Sequence, residues 1–197
     1  MSADDLKAAL LAERHAAYGR LRGGFPILLA GATYWAALAV VGALAEPRFW
    51  YPVALFGSGT IFPLAVLWAR AFRNPFLKDR SAVTSVLFPT FVAMLLFWPM
   101  AIASLSEGRE LFPLILAIGL SLHFPVIGWS YGRTTILTAH AVLRAAAVTA
   151  AWYVLPDQRL VAIPLIVVAA YLLTALVIVV DSRRFRPREL AGGPAAA

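Results

Sequence analysis

The sequence contains no cysteine and few charged residues. The absence of cysteine excludes disulfide bridges, thiolate metal sites and cysteine nucleophiles. Only 14% of the 197 residues are charged, and 61% are hydrophobic. A soluble domain has about 25% charged and about 45–50% apolar residues. The composition therefore excludes both an ordinary soluble domain and an intrinsically disordered chain.

Carboxylates are scarce, and all ten Asp and Glu residues lie outside the long apolar stretches. Paired carboxylates for acid–base chemistry and an intramembrane proton relay are therefore lacking. The histidine spacing matches no metal-ligand motif, no glycine-rich nucleotide-binding motif occurs, and no Ser-His-carboxylate set can assemble at one depth. We expect a protein that is not an enzyme and that holds no metal and no cofactor.

The chain contains six apolar stretches long enough to cross a membrane. A helix needs about 20 mostly apolar residues to span a hydrocarbon core of about 30 Å. The predicted spans are approximately 24–45, 50–69, 82–104, 111–131, 134–155 and 161–180. The sequence therefore predicts an all-α polytopic membrane protein with six transmembrane helices.

The basic residues are distributed unequally between the two sides of these spans. One side receives 13 of the 17 Lys and Arg residues: Lys7, Arg14, Arg20, Arg22, Arg70, Arg73, Lys78, Arg80, Arg133, Arg183, Arg184, Arg186 and Arg188. The other side receives Arg48, Arg109 and Arg159. Because Lys and Arg collect in cytoplasmic loops, both termini are predicted to be cytoplasmic. The excess of seven positive charges is thus explained by the membrane topology and gives no support to a nucleic-acid partner.

The six-helix domain comprises residues 23–181, and the two segments outside it differ in character. Residues 1–22 are predicted to form a cytoplasmic amphipathic leader helix capped by Ser2, with Asp5 near its positive end. Acidic residues near the start and the lack of an apolar core argue against a signal peptide. The helix either lies on the inner membrane surface or stands in solvent. Residues 182–197 are predicted to form a basic, then disordered, cytoplasmic tail.

An internal repeat of helix pairs runs through the apolar region. Phe25-Pro26 is followed by Trp35, and Phe88-Pro89 is followed by Trp98 at the same spacing. Further Pro, acid-x-Arg and Trp positions match at offsets of 61 to 63 residues, and a shorter third copy surrounds Pro164. Since each unit contains two spans, successive units keep the same orientation. The repeat predicts three parallel helical hairpins around a pseudo-threefold axis.

Each predicted hairpin carries an acid-x-Arg pair at its outer turn. The three pairs are Glu46 with Arg48, Glu107 with Arg109, and Asp157 with Arg159. One interpretation is that these charges simply end each hairpin, because exposed ion pairs contribute little. The other is that the six charges form a network that closes the outer end of the bundle.

Three ionisable side chains lie deep within the predicted spans: His123, His140 and Arg144. His140 and Arg144 are four residues apart and share one helix face, and Arg144 falls near the bilayer midplane. A central Arg should therefore face the bundle interior and find acceptors. Either the three residues form a cationic substrate-binding site for an anionic or polar group, or the histidines are satisfied locally and Arg144 donates to backbone carbonyls freed by Pro63, Pro89 or Pro125.

Two motifs resemble a family of small bacterial multi-pass membrane proteins of unknown function. The first is the stretch 24–30 leading to Trp35, and the second is 123–131. Members of that family have a cytoplasmic leader, Phe/Pro-rich first spans and a His-x4-Gly-Trp-x-Tyr motif. Four residues match this last motif: His123, Gly128, Trp129 and Tyr131. The proline stands one place earlier than in the family pattern. The resemblance implies a bacterial inner-membrane location and no particular activity.

Two functions fit these features. The first is a transporter or channel-like protein with a central cationic site for an anionic or polar solute. The alternative is a non-transporting membrane protein that binds a lipid or a partner protein. In both cases the partners are the bilayer, an anionic small molecule or lipid headgroup, and a second copy in a homo-oligomer. A water-accessible cavity lined by Arg144 would favour transport, whereas an Arg144 capped by carbonyls in a dry core would favour binding.

Overall fold

The computed structural model describes residues 2–75, 78–79 and 81–185, and every element in this part of the chain is helical. Six helical spans are long and apolar enough to cross a membrane: Arg22–Leu44, Pro47–Ala71, Val83–Glu107, Arg109–Ser130, Thr134–Val154 and Pro156–Phe185. The prediction of six spans is confirmed, with ends that differ by a few residues. Most of the predicted tail, residues 186–197, lies outside the described residues.

The described residues form ten α-helices: α1 (Ala3–Arg20), α2 (Phe25–Leu44), α3 (Pro47–Gly57), α4 (Ile61–Ala71), α5 (Leu87–Leu95), α6 (Trp98–Glu107), α7 (Phe112–Gly119), α8 (Phe124–Ser130), α9 (Thr134–Val154) and α10 (Arg159–Ser182). Spans 1, 5 and 6 contain the single long helices α2, α9 and α10. Spans 2, 3 and 4 each contain two α-helical segments, α3 and α4, α5 and α6, and α7 and α8.

Prolines explain where the broken spans resume their helices. Pro99 and Pro125 lie in the first turns of α6 and α8, and Pro63 is the third residue of α4. Proline lacks an amide proton but is tolerated in the first helical turn, where that proton would have no intrahelical acceptor. The chain therefore starts a new helical segment at each of these prolines, which leaves breaks in the middle of three spans.

The N-terminal helix α1 is capped as the sequence predicts. Ser2 Oγ accepts a hydrogen bond from the Asp5 amide at 3.1 Å, and Asp5 Oδ2 accepts one from the Ser2 amide at 2.8 Å. The first half of α1 is exposed, whereas Ala17 and Tyr18 are fully buried. The Tyr18 hydroxyl donates to the carbonyl of Ile178 at 3.3 Å. The second half of α1 therefore rests on the end of the helical bundle.

The spans pack as three sequential hairpins, 1 with 2, 3 with 4, and 5 with 6. Spans 1 and 6 also pack closely against each other, and span 4 packs against span 5. Within the most apolar stretch of each span, 61% of the residues are buried in span 4, compared with 17% in span 2 and 11% in span 3. Spans 2 and 3 are therefore peripheral. Because matched spans are so unequally buried, the pseudo-threefold arrangement stays a prediction.

The basic end of the bundle comprises α1, the segment between spans 2 and 3, the turn before α9 and the end of α10. Ion pairs join these parts: Arg20 contacts Glu13 at 3.1 Å and Asp79 at 3.2 Å. Arg133 donates two hydrogen bonds to the carboxylate of Asp181, from Nε at 2.7 Å and from Nη2 at 2.8 Å. The opposite end carries the three predicted acid-x-Arg pairs.

Candidate functional site

Arg144 lies at the middle of α9 and is almost completely buried, with 1% of its surface exposed. Its Nη2 donates a hydrogen bond to the carbonyl oxygen of Ala117. The guanidinium carbon lies 4.8 Å from the ring centre of Tyr171 and 5.8 Å from that of Trp35. One carbonyl and two aromatic faces thus surround the cation, and cation–π attraction of this kind strengthens when the cation is desolvated.

The Ala117 carbonyl is free to accept this bond because span 4 is broken. In a continuous helix the amide of Ser121 would donate to Ala117, but it donates to the Ile118 carbonyl at 2.8 Å instead. Residues 120–123 form the turn between α7 and α8. One of the two sequence interpretations has a carbonyl freed by proline as the acceptor of Arg144. The acceptor is instead a carbonyl at the end of α7.

Several buried nitrogen atoms around Arg144 have no hydrogen-bond partner within the described part of the chain. They are Nε and Nη1 of Arg144, Nε2 of His140, Nδ1 of His123 and Nε1 of Trp35. A buried polar group left unsatisfied costs about 1–3 kcal/mol, so such groups mark places that a ligand or water can occupy. We call Trp35, His123, His140, Arg144 and Tyr171 the central cluster.

Aromatic rings connect the two histidines of the central cluster. The His123 ring lies 4.5 Å from that of Phe124, which in turn lies 4.6 Å from His140. His140 Nδ1 is 2.8 Å from Thr174 Oγ1, a hydrogen bond in which either atom can be the donor. The structure therefore places His140 beside Arg144 on one face of α9, and His123 on the far side of the Phe124 ring.

Sequence reasoning missed Tyr171, which contacts both His140 and Arg144. Its ring lies 5.3 Å from His140 and fits against Gly31, where an added Cβ would stand 2.7 Å from the ring. One signal was available: Tyr171 and Thr174 are polar residues three apart in span 6 and so share one helix face. That face is the one that meets the central cluster.

A cavity of about 420 Å³ lies between spans 2 and 3, and we call it the lateral cavity. Its walls are mainly apolar side chains, among them Phe62 of span 2 and Trp98 of span 3. His123 and Tyr171 line it as well, whereas Arg144 and His140 do not. Phe62 is 60% exposed, so the cavity opens toward the outside of the bundle, where lipid surrounds a membrane protein.

The six predicted network residues lie at the end of the bundle opposite the basic end. Glu46 and Arg48 pair with each other at 2.8 Å, and the other four make no ion pair within the described residues. Arg109 lies 5.5 Å from the Tyr51 ring centre, and Arg159 lies 4.1 Å from that of Trp152. The cations therefore meet aromatic rings, and a charge network that closes this end stays a prediction.

Comparison with known proteins identifies the chain only at the level of its family. No curated protein and no solved structure matches it. Residues 11–181 match the model of a family of unknown function, DUF7010. The match covers α1 from its middle onward, spans 1 to 5, and span 6 up to residue 181. The sequence-based resemblance to an uncharacterised family of membrane proteins is thereby confirmed, and the chain belongs to this family of unknown function.

Proposed function

We propose that the protein binds the apolar chain of a lipid or a similar amphiphile in the lateral cavity, without transporting it or changing it chemically. The observation that carries this proposal is the cavity of about 420 Å³ between the two peripheral spans. Largely apolar pockets with a few polar groups are typical binding sites for small molecules. Here the opening faces the lipid, and the polar lining residues include His123, whose buried Nδ1 has no hydrogen-bond partner within the described residues.

The surroundings of Arg144 favour binding over transport through a central cationic site. Arg144 donates to the Ala117 carbonyl and stacks against two aromatic rings. The lateral cavity reaches His123 and Tyr171 but stops short of Arg144. A solute in that cavity would meet mainly apolar side chains, which suit an acyl chain better than an anion.

A substitution that adds a large side chain at the cavity wall tests the proposal. Gly59 lines the cavity, and nothing stands within 4 Å of the position that its Cβ would take, so Gly59→Leu adds a large side chain at the cavity wall with little strain. The matched control is Thr60→Leu, at an adjacent exposed residue that does not line the cavity. The purified proteins are titrated in detergent with a phospholipid that carries bromine in its acyl chains, and quenching of tryptophan fluorescence is recorded.

We expect saturable quenching in the wild-type protein and in Thr60→Leu, and a clear loss in Gly59→Leu. Trp98 lies on the cavity wall, so Trp98→Phe should remove most of the quenched component. The proposal is wrong if Gly59→Leu and the wild-type protein are quenched equally.

A second candidate function, a transporter or channel with a central cationic site, is favoured by one observation. Nε and Nη1 of Arg144 have no partner within the described residues, so the cation retains capacity to bind an anion. Swelling of proteoliposomes in potassium phosphate and potassium chloride, with valinomycin added so that K⁺ can accompany the anion, measures such transport. The site hypothesis requires that Arg144→Met abolish any flux and that Arg144→Lys retain part of it. Equal flux in all three proteins contradicts it.

We further propose that the protein resides in a bacterial inner membrane with both termini in the cytoplasm. The support is the sequence distribution of Lys and Arg, which places 13 cations on the side of the termini and three on the other.

A further inference from the structure

A second pocket, of about 440 Å³, lies where span 2 ends. We call it the basic pocket. It is lined by Ala69, Arg70, Arg73, Asn74, Pro75 and Lys78. Three of these six residues are cationic, and the space is more than ten times the roughly 30 Å³ that one water molecule occupies in the liquid.

The backbone at this pocket adopts a conformation that normally belongs to glycine. Span 2 ends in a Schellman motif, in which the Asn74 amide donates to the Ala69 carbonyl and the Arg73 amide to the Arg70 carbonyl. Arg73 therefore has a φ of 48°, in the left-handed region that is unfavourable for a residue with a Cβ. Strain of this kind is typical of functional sites.

Arg22 repeats this feature on the neighbouring span. Its φ is 49°, and Arg22 and Arg73 are the two non-glycine residues with positive φ in the part of the chain that the structure describes. Arg22 Nη1 lies 3.5 Å from the carbonyl oxygen of Phe72, beside the basic pocket. Two arginines are thus held in a strained conformation where glycine would be more stable.

Three acidic residues that the structure describes at the basic end pair with other cations. Glu13 and Asp79 pair with Arg20, and Asp181 pairs with Arg133. Within the described residues, Arg70, Arg73 and Lys78 make no ion pair. The basic pocket therefore presents uncompensated positive charge and is complementary to an anion.

The basic pocket and the lateral cavity lie along one face of span 2. Phe62, Val66 and Ala69 follow one another at intervals of four and three residues within α4, which places them on the same side of that helix. Gly59 and Phe62 line the lateral cavity, while Ala69 and Arg73 line the basic pocket. From Gly59 to Arg70 the helix rises about 16 Å, about half of a hydrocarbon core of about 30 Å.

We propose that the basic pocket binds the phosphate headgroup of an anionic phospholipid whose acyl chain lies in the lateral cavity. This proposal rests on the function proposed above and names the class of ligand. The separation of the two sites matches one leaflet, so a single lipid can reach both. A soluble phosphate compound would use only the first site, whereas the shared helix face links the two.

Native mass spectrometry of the purified full-length protein tests the proposal. Phosphatidylglycerol and phosphatidylcholine with identical acyl chains are added in equal amounts, and the retained lipid is counted. Arg73→Gly and Arg70→Gln each remove one pocket cation, and Arg73→Gly should also relieve the backbone, so it folds at least as well. Arg183→Gln is the matched control, because Arg183 is exposed at the same end and makes no ion pair within the described residues.

We expect the wild-type protein to retain more phosphatidylglycerol than phosphatidylcholine. Each pocket variant should weaken phosphatidylglycerol binding about fivefold, which corresponds to about 1 kcal/mol for each cation near anionic lipid. Phosphatidylcholine binding, and the binding of both lipids to Arg183→Gln, should not change.

Three results would overturn the proposal. If both lipids bind equally to all variants and Trp98 is still quenched by brominated chains, the headgroup assignment is wrong and the lateral cavity still binds a chain. If neither lipid binds and Trp98 is not quenched, both proposals are wrong. If glycerol 3-phosphate at the same concentration displaces phosphatidylglycerol, the basic pocket binds a free phosphate compound and not a lipid.

Discussion

At the scale of single residues, Arg144 shows how a buried cation is partly compensated without a carboxylate. Its hydrogen bond to Ala117 and its contacts with Tyr171 and Trp35 replace only some of the interactions that water would give. Substituting well-packed apolar residues for a buried charged group is often neutral or stabilising, by about 1–4 kcal/mol. A buried cation that adds no net stability is a candidate for a role in binding.

Replacement of Arg144 by residues of different size separates charge from packing. In Arg144→Met, the free energy gained by removing a buried charge offsets the cost of leaving the Ala117 carbonyl unsatisfied, which is about 1–3 kcal/mol. We therefore expect an unfolding temperature within a few degrees of the wild-type value. Arg144→Ala also leaves a cavity and should lose about 2–5 kcal/mol. Thermal unfolding in detergent measures both. Equal destabilisation by the two substitutions would mean that the charge itself holds the bundle together.

The position of Arg144 could be predicted from the sequence, but its partners could not. Hydropathy and helix periodicity place Arg144 at mid-span, facing inward with His140. The acceptor at Ala117 depends on the break in span 4, where the Ser121 amide shifts to the Ile118 carbonyl. Such a shift is decided by tertiary packing. Tyr171 was missed because an aromatic residue in an apolar span resembles ordinary core until its neighbour Gly31 is known.

At the scale of helices, close approach between spans depends on small residues. A Cβ at Gly42 of α2 would meet the backbone carbonyl oxygen of Leu160 in α10. The obstacle is backbone, so no side-chain rotation can relieve it. The contact between spans 1 and 6 therefore fixes the closest permitted distance between the two helices.

Substitutions of Gly42 and Gly59 should therefore have opposite effects. Gly42→Ala forces spans 1 and 6 apart, and we expect a loss of about 1–3 kcal/mol or more. Gly59→Ala meets nothing within 4 Å and should be neutral or stabilising by about 0.4–1 kcal/mol, because alanine has less freedom in the unfolded chain. Thermal unfolding of both variants in one detergent measures the difference. Destabilisation by Gly59→Ala as large as that by Gly42→Ala would contradict the assigned contact.

The attachment of α1 should depend on pH through Glu13. Hydrogen bonds from Ser81 and Arg20 hold the pKa of this carboxyl below its usual value. A lowered pKa in the folded state stabilises attachment at pH values above the unfolded pKa, which is about 4.3 for Glu, and the stabilisation is lost as pH falls through the lower folded value. The protection factors of residues 13–20, which correct the exchange rates for the intrinsic pH dependence of amide exchange, should therefore be unchanged between about pH 7 and 5 and lower below about pH 4.

Two variants isolate this pH dependence. Glu13→Gln removes the titrating group. The protection factors in α1 should therefore be lower than in the wild-type protein at neutral pH, and they should change less on acidification. Glu107→Gln, at the opposite end of the bundle, should behave as the wild-type protein does. If Glu13→Gln and the wild-type protein respond equally to acid, another group controls the attachment.

At the scale of the whole molecule, the sequence predicts the number of spans more firmly than their arrangement. Six long apolar stretches separated by charges suffice to count the helices. The matched tryptophans illustrate the limit, because Trp35 is fully buried whereas its repeat counterpart Trp98 is half-buried on the wall of the lateral cavity. Repeat periodicity describes the order of hairpins along the chain. It does not determine which hairpin face becomes the core, since that depends on contacts between hairpins.

The orientation of the molecule in the membrane gives a final prediction. Because the chain lacks cysteine, single introduced cysteines report their own positions. Ser106 and Asp4 are exposed and lie at opposite ends of the molecule. The charge distribution predicts that a membrane-impermeant maleimide modifies Ser106→Cys in intact bacterial cells and modifies Asp4→Cys only after permeabilisation. Leu38→Cys, which is buried, should stay unmodified in both conditions. Labelling of Asp4→Cys alone in intact cells would indicate the opposite orientation. Labelling of both exposed sites would contradict a single orientation with six spans.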